Sequence, residues 1–242
     1  MNWLLFFFSW LSVLSNANNS GRTSLQKIQD IPLPDGYKRV HLASESFGHF
    51  LRMQTLKEDK TVYLYNGKPK FNQRAQYAVL NISTGTKDLQ QCADAVMRLR
   101  AEYLKLIHQP ICFSDNSGKK YCWDQYIQRG WQPYLEIVFG MCGTISLEKE
   151  LKTKSWQKLT GGDVLIKGGS PGHAVIVVDI ARHEQTGKLI FLLAQSYMPS
   201  QDIHILQNLS EKSLNPWFRE PSGNIVQTPE WTFYANQLRS WR

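Results

Sequence analysis

The 242 residues, 42% of them hydrophobic and eight of them Trp, are enough for one large domain with a substantial core, and no repeat, low-complexity linker or break in composition divides them. The 28 Lys and Arg exceed the 20 Asp and Glu to give a net charge of +8, spread thinly over Lys57, Lys60, Lys68, Lys70, Arg74, Lys119, Lys120, Lys149, Lys152 and Lys154. That spacing excludes the dense basic arm of a nucleic-acid binder and reads as solubility, with attraction to an anionic envelope polymer as the alternative.

Met1 to Leu14 holds no charge and packs Trp3, Leu4, Leu5, Phe6, Phe7, Phe8, Trp10, Leu11, Val13 and Leu14 into one apolar block. The block is too short to span as a mature helix and reads as a signal-peptide core, with Ser15 and Ala17 as the small residues before a cut at Asn18. No cysteine near the cut would accept lipid, and no later segment is apolar enough to cross a bilayer. The sequence therefore predicts a periplasmic or secreted protein, with residues 1–17 removed and 18–242 forming a single α+β domain without an integral membrane segment.

Asn18 to Lys27 reads as a disordered leader. Extended pieces at Lys38–Leu42, Thr61–Tyr65 and Ala78–Ile82, separated by turns such as Asn66-Gly67, predict an N-terminal antiparallel β-rich layer. The period then changes. Leu89, Cys92, Ala93, Val96, Leu99, Tyr103 and Leu104 follow helical spacing, and Asp88 with Gln91 resembles a capping pair, so a long helix is expected from Asp88 to about Ile107. Cys112 and Cys122 flank the turn signal Asp115-Asn116-Ser117-Gly118, and a hairpin there would place them for a disulfide. A second helix is expected over Gln132–Met141, closed by Gly143, and a third capped by Ser146 and running through Leu151. Beyond Gly161-Gly162 the pattern predicts strands at Asp163–Lys167, His173–Ala181, Lys188–Tyr197 and Asp202–Leu206, with the aromatics of Glu230–Tyr234 docking on the body.

Chemistry points to His173, which follows Gly168-Gly169-Ser170-Pro171-Gly172 where a turn becomes a strand. Alternation puts His173, Val175, Val177 and Asp179 on one face, but Asp179 lies about 20 Å along the strand, too far to orient the imidazole. A hairpin centred near Gln185 instead faces His173 with Tyr197 and sets Gln195 diagonally on the same face, within reach of a ring nitrogen. The other nitrogen would then face a thiol.

Cys92, near the predicted helix start, is the candidate nucleophile, because the helix dipole and an adjacent imidazolium would depress its pKa. Its backbone amide would help hold an oxyanion. Taken singly, Cys92 also fits the apolar stripe with Leu89 and Val96 as packing, Gln195 also fits a core sheet, and a Cys92–Cys142 disulfide would consume the thiol. The six histidines show no metal-ligand spacing, and Gly161-Gly162-Asp163 and Gly168-Gly169 lack phosphate-loop spacing, so no metal or cofactor is expected.

The segments Leu89–Leu104, Pro171–Asp179 and Leu193–Pro199 resemble a family of exported Gram-negative bacterial proteins catalogued as a domain of unknown function. More loosely, about half the chain is similar to the papain-like cell-wall peptidases and amidases: a cysteine on a helix, a Gly-Asp-Val strand at Gly162–Ile166, a Gly-His strand, then a polar residue on the next strand. That resemblance implies a papain-like helix packed on an antiparallel sheet. It also implies Cys92 as nucleophile, His173 as base and Gln195 as orienter in a thiol hydrolase acting on a peptide or cell-wall fragment. The alternative is a non-catalytic envelope protein that keeps this scaffold and binds a glycan or peptide through Trp123, Trp131, Trp156 or Trp217.

Overall fold

The chain is seen in a computed structural model that describes residues 25–242; the apolar leader, its cleavage site and residues 18–24 lie outside the described residues. Residues Leu25 to Lys27, expected to belong to a loose leader, are tied down. Lys27 bridges Thr55, and its amide donates to Asp30 Oδ2 at 2.8 Å.

In chain order the N-terminal third contributes β1 (Tyr37–Arg39), α1 (Phe47–Arg52) and β2 (Gln76–Val79). The helical middle holds α2 (Cys92–Leu106), the hairpin β3 (Cys112–Ser114) and β4 (Lys120–Cys122), then α3 (Trp131–Met141) and α4 (Thr144–Glu150). The remainder is β-rich: β5 (Lys152–Thr153), β6 (Val164–Lys167), β7 (His173–His183), β8 (Leu189–Gln195), β9 (His204–Leu206), β10 (Phe218–Arg219), β11 (Ile225–Gln227), β12 (Thr232–Tyr234) and β13 (Leu238–Ser240). Nine strands form one antiparallel sheet ordered β2-β9-β8-β7-β6-β13-β5, with β1 on β7 and β10 on β8. The chain is thus an α+β fold.

The N-terminal strands do not build a layer of their own. β1 joins the far end of β7 and β2 forms the sheet edge beside β9, while Thr61–Tyr65 makes only single bridges, at Tyr63 to Pro69 and Leu64 to Gln201. A three- or four-residue extended piece has too few backbone partners alone, and strands of the large sheet supply them.

Helix α2 begins later than the apolar period suggests. Gln91 is its N-cap, and its backbone amide donates to Asp94 Oδ2 at 2.9 Å, so the capping pair is Gln91 with Asp94 rather than Asp88 with Gln91. Val96, Leu99 and Tyr103 bury one stripe, Arg98 and Glu102 pair at 2.9 Å one turn apart, and His108 ends the helix in the left-handed region at φ 54°. In α4, Ser146 is not the cap. Gly143 is, and Ser146 reaches back from the third position to accept its amide at 3.1 Å.

The sheet carries a core on each face. Ala174, Ile176, Val178, Leu192 and Ala194 pack with Val96 and Leu99 of α2, whereas Val175, Val177, Leu193 and Phe191 pack with Phe233 of β12 and Trp156. The β7–β8 hairpin has the expected register near the site, with Ile176 opposite Ala194 and Val177 opposite Leu193. A bulge at Val178 then shifts the pairing, so Asp179 sits opposite Leu192 and turns to the helix side. Asp179 therefore leaves the face of His173, Val175 and Val177. Fully buried, it accepts from Arg52 Nε at 2.6 Å and Arg39 Nε at 2.8 Å, pinning α1 and β1 to the sheet. Asp179→Ala, which strands two guanidinium groups there, should lower the unfolding free energy in urea titration by about 3–5 kcal/mol; a loss under about 1 kcal/mol contradicts this anchoring role.

Candidate active site

Cys92 is the first residue of α2, so it lies at the helix start and not a turn inside it. It is buried, and burial pushes its thiol up to about 11, with Asp94 adding to the rise. Backbone amides of Ala174, Ala93 and Cys92 itself pull the other way. Desolvation outweighs the helix terminus here, and the expected low thiol pKa is corrected to a raised one. The Ala174 amide, one of the groups that pull the thiol pKa down, follows His173 in the chain, so α2 brings Cys92 to the start of β7.

His173, the first residue of β7, is also buried. Gly172 before it is required by close approach, because a Cβ there would meet Thr144 Oγ1 at 2.3 Å and the Gly169 carbonyl at 2.6 Å. The ring is boxed by Tyr197, Trp231 and Phe233 at centroid distances of 4.7, 5.2 and 5.8 Å. Its Nε2 lies 2.9 Å from Gln195 Oε1, across the diagonal of β7 and β8. Burial lowers the His173 pKa to about 4, against the opposing pull of Gln195 and Glu230, so the ring is neutral at pH 7.

Hydrogen-bond polarity fixes the neutral tautomer. Gln195 Nε2 donates to Glu230 Oε2 at 2.7 Å, which leaves Oε1 as the acceptor facing His173. His173 must then carry its proton on Nε2, and Nδ1 keeps a free lone pair. A second buried histidine agrees with this direction. His204 Nδ1 lies 2.9 Å from the Asp202 carbonyl, so it donates there, and its Nε2 accepts from Gln195 Nε2 at 3.4 Å.

His173 and Gln195 are thus brought into direct contact, and Cys92 is set beside Ala174. No hydrogen bond joins the Cys92 thiol to the His173 ring among the described residues. Cys92 is a free thiol, as is Cys142, and Cys112 is bonded to Cys122 at 2.08 Å, so the Cys92–Cys142 bridge is not formed. A cleft of about 230 Å³ opens at the thiol, lined by Cys92, Asp94, Cys142, Gly172 and Met198. A larger cavity of about 550 Å³ lies against the disulfide hairpin and holds none of Cys92, His173 and Gln195.

The sequence reasoning missed Glu230, Lys70 and His204 as site residues; the one local signal was the charge of Glu230 beside the aromatic run Trp231–Tyr234. Among the aromatic binding candidates, Trp156 and Trp217 are core residues, while Trp123 and Trp131 are half-buried, with Lys105 Nζ 4.2 Å from the Trp131 ring centre. Among the described residues no three His, Cys, Asp or Glu side chains gather as metal ligands, and no helix is long and apolar enough to cross a membrane.

A family model described as a domain of unknown function (4846) matches residues 28–131 and 125–240, and the chain belongs to that family. No curated protein and no solved structure matches the chain.

Burial drives the His204 pKa down to about 3, well under its unfolded value near 6.5. As pH falls below 6.5 the unfolded chain takes the proton first, so stability drops progressively toward pH 3, by at most about 1.4 kcal/mol per unit for this group. His204→Gln should flatten the dependence of the urea midpoint on pH between 6 and 4; a slope parallel to the parent's contradicts a neutral buried His204.

Proposed function

We propose that this family member is an exported, papain-like thiol hydrolase that cleaves an amide bond in a peptide or peptidoglycan fragment, with Cys92 as nucleophile, His173 as base and Gln195 as orienter. The observation that carries the reading is the 2.9 Å contact of His173 Nε2 with Gln195 Oε1, which leaves Nδ1 unprotonated on the residue before Ala174, whose amide acts on the Cys92 thiol. The apolar Met1–Leu14 block supports export to the periplasm or beyond. Helix-on-sheet packing, with a cysteine at the helix start and a histidine at the strand start, supports the papain-like likeness.

Because thiol and imidazole are both neutral at rest, the proposed reaction is a concerted one. The sulfur attacks the scissile carbonyl carbon as its proton passes to His173 Nδ1. The oxyanion forms at the start of α2, where the Cys92 backbone amide helps to hold it. The imidazolium returns its proton to the amine as the C–N bond breaks and a thioester remains. Water then attacks the thioester with His173 again as base, releasing the acid and the thiol. Gln195 accepts from Nε2–H throughout and stabilises the transient positive ring.

The second reading, a non-catalytic binder on the same scaffold, is favoured by the raised thiol pKa and by the half-buried Trp123 and Trp131 beside Lys105. Purified peptidoglycan digests, with products resolved by mass spectrometry, separate the two. Cys92→Ala should keep the circular dichroism spectrum and lose at least about 10³-fold in turnover, and undiminished turnover overturns the hydrolase. The parent's kcat/KM should fall as pH drops through about 4, where His173 takes a proton, and as pH rises through about 11, where Cys92 loses its own. A profile with its acid limb near 6.5 contradicts a base buried as His173 is.

A further inference from the structure

We infer that Glu230 is a positioning residue: held by Lys70, it keeps the Gln195 amide oxygen turned toward His173 and so decides which imidazole nitrogen stays unprotonated. The inference rests on the catalytic reading above and states how its base is set. A primary amide offers one acceptor and two N–H donors, and a half-turn about its last bond exchanges them. Something must choose between the two faces of Gln195.

The choice falls to one oxygen atom. Glu230 Oε2 accepts from Gln195 Nε2 at 2.7 Å and from Lys70 Nζ at 2.6 Å, while Oε1 accepts from Asn72 Nδ2 at 3.1 Å. Lys70 and Glu230 are 7% and 13% exposed at the side chain, too dry for either charge to stand unpaired. The ammonium therefore lies one shared acceptor away from the amide. Lys70 Nζ and Gln195 Nε2 share Glu230 Oε2 as acceptor, so on loss of the carboxylate the ammonium draws the Gln195 amide oxygen toward itself. Once that oxygen turns to the ammonium, the NH2 group faces His173, whose Nε2 must then accept and whose proton moves to Nδ1. The unprotonated nitrogen that the proposed reaction uses is lost.

His204 Nε2, at 3.4 Å, is the weaker second acceptor for the Gln195 amide and cannot compete with an unpaired ammonium. The other groups around the ring do not set the amide. Tyr197, Trp231 and Phe233 meet His173 through their rings, Lys167 pairs with it across β6 and lies over Trp231, and Cys92 contacts the next residue. The same arrangement explains why Glu230 raises the His173 pKa while Lys70 lowers it.

Imidazole 15N NMR of the full protein at pH 7 reads the tautomer without any turnover. The parent should show Nε2–H at His173. Glu230→Leu should show Nδ1–H and lose about tenfold or more in kcat with KM held within about twofold. The pair Lys70→Met/Glu230→Leu, which leaves no buried charge, should return to Nε2–H because His204 alone then orients the amide. Glu230→Gln keeps volume and an acceptor oxygen and so tests the idea where Leu prevents folding; it should retain Nε2–H with a lower His173 titration midpoint. Nδ1–H in the parent, Nε2–H in Glu230→Leu, or an unmoved midpoint in Glu230→Gln each overturns the inference. The expected tautomers in a protein that hydrolyses nothing would uphold the positioning role and sink the hydrolase alone.

Discussion

The hydrogen bond from His173 Nε2 to Gln195 Oε1 is the interaction on which the rest of the site depends. It is made across a strand diagonal and sealed by Tyr197, Trp231 and Phe233, so no water competes for either atom. A buried imidazole with one nitrogen committed has its other nitrogen defined by subtraction. The fold is arranged to keep that commitment: β7 and β8 set the diagonal, β12 supplies a ring of the box, and the turn before it brings Glu230 to the far side of the amide.

Two opposing tendencies meet at Cys92. The start of α2 favours a thiolate, and burial disfavours it; burial prevails and leaves the thiol protonated. The proposed hydrolase would therefore start from no ion pair and would depend on proton transfer during attack, when a bound carbonyl creates the need for the thiolate. Asp94 is the sole carboxyl lining the cleft at Cys92, and burial pushes its own pKa well above the ordinary range.

Much of the site was legible because it is local in sequence. The helix around Val96 and Leu99, the Gly172-His173 strand start and the β7–β8 register that sets Gln195 diagonal to His173 follow from period and turn chemistry over short stretches. The bulge at Val178 left no such trace, because Asp179 reads as one more alternating residue until Arg39 and Arg52 arrive from elsewhere to claim it. Helix α1 was missed for a related reason: Phe47-Gly48-His49-Phe50 is a poor helix former, held by the Ser46 cap and by contact with β7. Lys70, His204 and Glu230 meet only in space, and charge pattern along the chain says nothing of it. The thiol pKa was misjudged because a helix start can be read from sequence and the depth of burial at its first residue cannot.

The central claim is that the free nitrogen of His173 serves the Cys92 thiol, and the most direct test is the rate at which iodoacetamide alkylates Cys92 at pH 7, measured by peptide mass spectrometry in the parent and in His173→Ala. Cys142, also buried and free, is the internal reference. The account predicts that the Cys92 rate drops by about tenfold or more relative to Cys142 when the imidazole is removed. An unchanged ratio would show that the imidazole does not act on the thiol, and the account would fail.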